Sequence, residues 1–160
     1  MVLLDAWNCK FFPFGFLTHW YFVTFLYLIF ILLIFRLGNE VGGKWLGALA
    51  SLYGAISPAQ INYSFSVWNP VIVPLVVLIT LFFLVTFFKS KKLLDIFLLG
   101  FTVSLAITIH FQNILILPTI LVVIFSFQPS IKNYFRYLPS LILGFLITLL
   151  PLIYFDLGHN

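Results

Sequence analysis

Residues 57–70 read SPAQINYSFSVWNP, and the fold turns on what this stretch is. It holds two prolines, two asparagines, a glutamine, three serines and a Trp-Asn-Pro triplet. No long apolar block interrupts it, yet apolar segments long enough to cross a bilayer lie on both sides. A polar, aromatic segment in that setting predicts a loop at the membrane surface. Two readings of it stand: a loop that meets a substrate, or a connector that turns the chain around.

Upstream, residues 45–61 form a short apolar segment that starts at Trp45. Gly43, Gly47, Ser51 and Ala55 recur in it at every fourth position, as do Ala50 and Gly54. Small residues at that spacing let a second helix approach closely in lipid, so this face reads as packed against protein. Before it lies RLGNEVGGK, residues 36–44, read as a glycine-rich basic turn, and before that an apolar run over 14–35. Downstream, apolar runs cover 71–88, 93–109, 114–127 and 138–155. Lys89, Lys91 and Lys92 separate the first two of these, and 128–136, with Lys132 and Arg136, separates the last two. Gly100, Ser104 and Thr108 make another small-residue stripe, and Pro151 is expected to kink or end the last run.

Composition fixes the class. Of 160 residues 63% are hydrophobic and 8% charged, against about 25% charged in soluble domains. So few charges cannot solvate a globule of this size. The expectation is an all-α, polytopic integral membrane helix bundle of about six spans, one transmembrane domain over 1–160. The basic residues sit in short clusters between apolar runs, which suits membrane loops and not a nucleic-acid groove. Cys9 is the single cysteine, so an internal disulfide and a cysteine-built zinc site are both excluded.

Six spans put the three basic loops on one side, and the positive-inside rule makes that side cytoplasmic. Residues 57–70, the break His110-Phe111-Gln112-Asn113 and the end Asp156 to Asn160 then share the outer side. Met1 falls outside too, with no cleavable signal pattern, which is the expectation for an N-terminally truncated fragment. The predicted location is the cell (plasma) membrane, multi-pass, with the lipid bilayer as partner and no nucleic acid.

Four residues stand out as site candidates. Asn69 precedes Pro70, which restricts it to extended geometry and fixes its side-chain direction. Trp68 beside it is either site lining or an interfacial anchor. His110 and Gln112 interrupt an apolar run near membrane depth, where polar groups are expensive and mark functional sites; the alternative is a helix cap or contact with interfacial water. His19 beside Trp20, and Asp156 with His159, are weaker candidates. No nucleotide-binding loop, HExxH motif or nucleophile elbow is present, and no close carboxylate pair. No metal ligands are assigned.

GGKWLGALASLYGAISPAQINYSFSVWNP, then a span, a Lys-rich turn and LLGFTVSLAITIHFQNILILP resemble membrane glycosyltransferases of the GT-C fold. The group they are most similar to is the protein-mannosyltransferase-like (glycosyltransferase 39, RgtA/B/C/D-like) family, and the ending PLIYFDLGHN resembles it as well. The resemblance implies a transferase that moves a sugar from a polyprenyl-phosphate carrier to an acceptor on the outer face, within a larger GT-C domain. It implies Trp68, Asn69, His110 and Gln112 as substrate-binding lining. Family members carry an acidic first outer loop that supplies a base or binds a metal; this sequence has no matching motif, so the catalytic residue is unassigned. The cofactor is open, with a divalent cation one candidate. The rival reading is a small transporter or membrane scaffold subunit without enzymatic activity.

Overall fold

The computed structural model describes residues 16–65, 69–127 and 131–159. Among them every element is helical, as a bilayer demands of backbone that must satisfy its own hydrogen bonds. We label the α-helices α1 (Phe16–Ile56), α2 (Pro58–Phe65), α3 (Val73–Ser90), α4 (Leu93–Ile109), α5 (Ile116–Phe127) and α6 (Ile131–His159). Short 3-10 turns occupy Asn69–Ile72 and Phe111–Leu115. Three of the helical stretches, His19–Ile56, Val73–Ser90 and Phe135–Phe155, are long and apolar enough to cross a membrane. Leu28, Leu32, Trp45, Tyr53, Leu143 and Leu150 are all exposed. In water that apolar surface would drive aggregation; facing acyl chains it is the stable arrangement. The chain is an all-α membrane protein.

The chain divides into two compact units, residues 1–78 and 79–160. In the first, α1 is a helical hairpin. Gly42 (φ −142°, ψ 21°) and Gly43 (φ 81°, ψ 178°) leave helical geometry, and the second arm folds back on the first. Gly43 sits where a side chain would be strained by the backbone itself. The turn is therefore confined to these two glycines, and residues 36–41, expected in a loop, continue the first arm. Tyr27 donates its hydroxyl proton to the Gly54 carbonyl at 2.8 Å, and Gly47 lies against the Phe35 carbonyl. The small-residue face is thus real, but its contact points are Gly47 and Gly54, seven residues apart.

Within the stretch 57–70, residues 58–65 are helical rather than loop. Pro58 opens α2, where its missing N–H costs nothing. The Ile61 N–H donates to the Ser57 carbonyl at 2.9 Å. One of the polar side chains that argued for a loop is accommodated locally: the Ser64 hydroxyl donates to the Ile61 carbonyl at 2.7 Å and the residue is buried.

In the second unit, Leu84 and Phe87 of α3, Ile96, Leu99 and Val103 of α4, and Ile120 and Ile124 of α5 form one apolar core. α4 and α6 pack closely and run parallel. The Ser140 hydroxyl donates to the Leu93 carbonyl at 2.9 Å, and one turn further on Gly144 meets the Phe97 carbonyl while Gly100 meets that of Leu141. Both glycines lack the Cβ that would hold the helices apart. α6 begins at Ile131, so 131–136 are helical rather than loop, and it continues through Pro151 to His159. Pro151 does not end it.

Candidate functional site

α4 ends because His110 adopts extended backbone (φ −152°, ψ 111°). The last carbonyls of any helix lack intrahelical partners. Here the Ala106 carbonyl takes two donors: the His110 N–H at 3.1 Å and the Asn113 side-chain amide at 2.8 Å. The Asn113 N–H donates to the His110 carbonyl at 2.9 Å. These bonds wind 111–115 into a 3-10 turn that leads into α5. The break is therefore built, not loose.

This geometry frees the imidazole from capping. His110 caps α4 with its backbone only, and its Nε2 lies 2.9 Å from Gln112 Oε1. With a carbonyl oxygen as partner, Nε2 carries a proton and Nδ1 remains for a second partner. Gln112 is exposed and His110 half-buried. The pair is a fixed polar edge at a helix end: the neutral ring offers Nδ1 as an acceptor, a donor once protonated, and the Gln112 amide offers two N–H groups.

The structure thus joins two of the four sequence candidates, His110 and Gln112. Asn69 belongs to the first unit, where it opens the 3-10 turn Asn69–Ile72. Trp68 lies outside the described residues. His19 is buried in the first arm of α1. Asn113 was missed as a positioning residue. Its signal was weak: an asparagine three residues after a helix ends has a side chain short enough to reach back to it.

Two further features belong to the first unit. Gln60, Tyr63 and Ser64 of α2, with Tyr27, Ile72 and Pro74, line a cavity of about 20 Å³. That is room for one water and not for a sugar. Among the described residues, no three of His, Cys, Asp and Glu come together to hold a metal ion.

A family model for dolichyl-phosphate-mannose-protein mannosyltransferases matches residues 11–155, nearly the whole chain. The chain belongs to this mannosyltransferase family. No curated protein and no solved structure matches it. Within the family match fall both elements of interest, the stretch 57–70 and the His110 break, so the mannosyltransferase-like GT-C fold read from them agrees with the match. The chain is accordingly a membrane protein of a glycosyltransferase family.

Proposed function

We propose that the chain acts in transfer of a sugar, mannose or a related hexose or pentose, from a polyprenyl-phosphate carrier to an acceptor on the outer face of the cell membrane. The observation that carries this reading is the His110–Gln112 pair, fixed at a helix end within the span of the family match. In the orientation that the basic loops favour, this end of α4 lies at the outer boundary, the depth at which a lipid-linked phosphate sits.

In the transfer, the bond between the anomeric carbon and the carrier phosphate oxygen breaks. The acceptor hydroxyl oxygen bonds to that carbon and loses its proton to a base. Negative charge builds on the departing phosphate. A protonated His110, held in place by Gln112, places a cation and N–H donors against that charge. In a low-dielectric setting such contacts are stronger than in water. Asn69 and Trp68 are proposed to line the sugar and carrier. The base that activates the acceptor is not assigned to any residue of this chain.

The test is transfer of labelled sugar from its polyprenyl carrier in membranes of cells carrying His110→Ala or Asn69→Ala at the native gene, normalised to protein amount. Each is expected to lower transfer at least tenfold, about 1.4 kcal/mol of transition-state stabilisation. Wild-type rates in both, at equal protein, would remove these residues from the site.

A further inference from the structure

The second unit carries another polar assembly at the far end of α4. The 17 residues of α4 separate it from His110, about 25 Å at 1.5 Å per residue. The Phe87 ring meets Tyr137 edge-on, with centroids 5.0 Å apart, and Phe88 at 5.8 Å. The Lys91 ammonium lies 4.9 Å from the Phe88 centroid and 5.4 Å from that of Phe87. The Arg136 guanidinium lies 5.9 Å from the Tyr137 centroid. Two cations from separate segments are thus seated on one aromatic platform, each stabilised by the negative face of a ring.

The backbone turns sharply at Lys91. Lys91 has φ 54°, a left-handed geometry more natural to glycine. Its N–H closes α3 on the Phe87 carbonyl at 2.9 Å. The neighbouring carboxylate, Asp95, is engaged by the Ser90 hydroxyl. Lys91, Lys92 and Arg136 are all exposed.

An apolar groove lies about one helical turn along α6 from Tyr137. Tyr137, Leu141 and Phe145 follow one another at four-residue spacing, hence along one face of α6. Leu141 and Phe145, with Val103 of α4 and Ile120 of α5, line a cavity of about 210 Å³. At its rim Leu121 and Ile142 are each 46% exposed, so it opens outward from the helices. Cations at a membrane boundary above an apolar groove match an anionic head above an acyl chain.

We propose that this end of the second unit binds an anionic glycerophospholipid of the bilayer, its phosphate held by Lys91 and Arg136 and one acyl chain following Tyr137 into the groove. The guanidinium meets phosphate oxygens through paired N–H donors and the ammonium as a point charge. The proposal does not depend on the sugar-transfer reading, whose phosphate sits at the His110 end.

Native mass spectrometry of the purified full chain, offered equal phosphatidylglycerol and phosphatidylcholine, tests it. The wild type is expected to retain phosphatidylglycerol at least fivefold over phosphatidylcholine. Lys91→Gln with Arg136→Gln should bring the two to parity, while Lys91→Arg keeps the preference. Ile142→Trp, which fills the groove without touching charge, should lower phosphatidylglycerol retention about fivefold. Parity in the wild type overturns the proposal, as does unchanged retention in Ile142→Trp. Displacement by millimolar inorganic phosphate would mark a free-anion site, preference for a polyprenyl phosphate would mark a donor site, and dimer peaks in place of lipid adducts would mark a self-contact; each overturns it.

Discussion

Asn113 shows how one side chain sets the site. Its amide donates to the Ala106 carbonyl, so that the turn of 111–115 is held and the His110 ring is left to Gln112. Asn113→Leu removes one partly buried hydrogen bond, about 1 kcal/mol. The expected result is a lower melting temperature in detergent, by a few degrees, with weaker sugar transfer than that loss of folded protein explains. Gly43 offers a cleaner case. An added Cβ there meets nothing within 4 Å, yet the residue has φ 81°. Gly43→Ala is therefore expected to cost roughly 1–3 kcal/mol through backbone strain alone, read as thermal stability of the purified protein. Val76 runs the other way. From the sequence, Val76→Leu in an apolar run is expected to be nearly silent. Val76 is only 7% exposed, and an extra methylene in such a place costs about 1–3 kcal/mol.

Helix pairs here are set by where the glycines are. A Cβ at Gly47 would lie 2.5 Å from the Phe35 carbonyl oxygen, whereas one at Gly54 would meet side-chain ends alone, the tip of Ile34 nearest at 2.9 Å. Backbone cannot yield as a side-chain tip can. Gly47→Ala is expected to lower the yield of folded protein severalfold, and Gly54→Ala much less, measured by size-exclusion chromatography of the membrane extract. Gly100→Ala and Gly144→Ala would each drive a methyl into the carbonyl of the facing helix and should behave like Gly47→Ala. The stripes of small residues are legible in sequence at four-residue spacing. Which members touch is not: Thr108 of the Gly100 stripe is exposed, while Ser104 is fully buried. Helix rotation decides that, and rotation is settled by the partner.

At the scale of the molecule, the parallel course of α4 and α6 carries weight. Ser140 bonds to Leu93 and Gly144 faces Phe97, so both helices start at the same end of the second unit. The basic residues Lys91, Lys92 and Arg136 stand at or next to those starts. The positive-inside rule then predicts one sidedness for all three. In a Cys9→Ser background, Phe111→Cys, at a site 73% exposed, should label with an impermeant thiol reagent in intact cells. Lys92→Cys should label only after lysis. Labelling of Lys92→Cys from outside would reverse the orientation and, with it, the outer-face reaction.

Composition alone determined that this is a helical membrane protein, because so few charges leave lipid as the only solvent that fits. Local pattern determined where polar breaks and glycines fall, because those residue types act on the backbone at their own position. Motif order pointed to the glycosyltransferase family that the chain belongs to. The stretch 57–70 was read as a loop, yet 58–65 are helical: the Ser64 hydroxyl bonds back to Ile61, and Pro58 sits in the first turn, where its missing N–H costs little. The His110–Gln112 pair and the platform of Lys91 and Arg136 needed tertiary structure. The first is a local device at one helix end, set by the Asn113 amide reaching back to the Ala106 carbonyl, and only atomic geometry shows which polar side chain caps and which is left to pair. The second depends on packing Tyr137 against Phe87, fifty residues apart, and a contact at that distance follows from how helices pack, which no local pattern encodes.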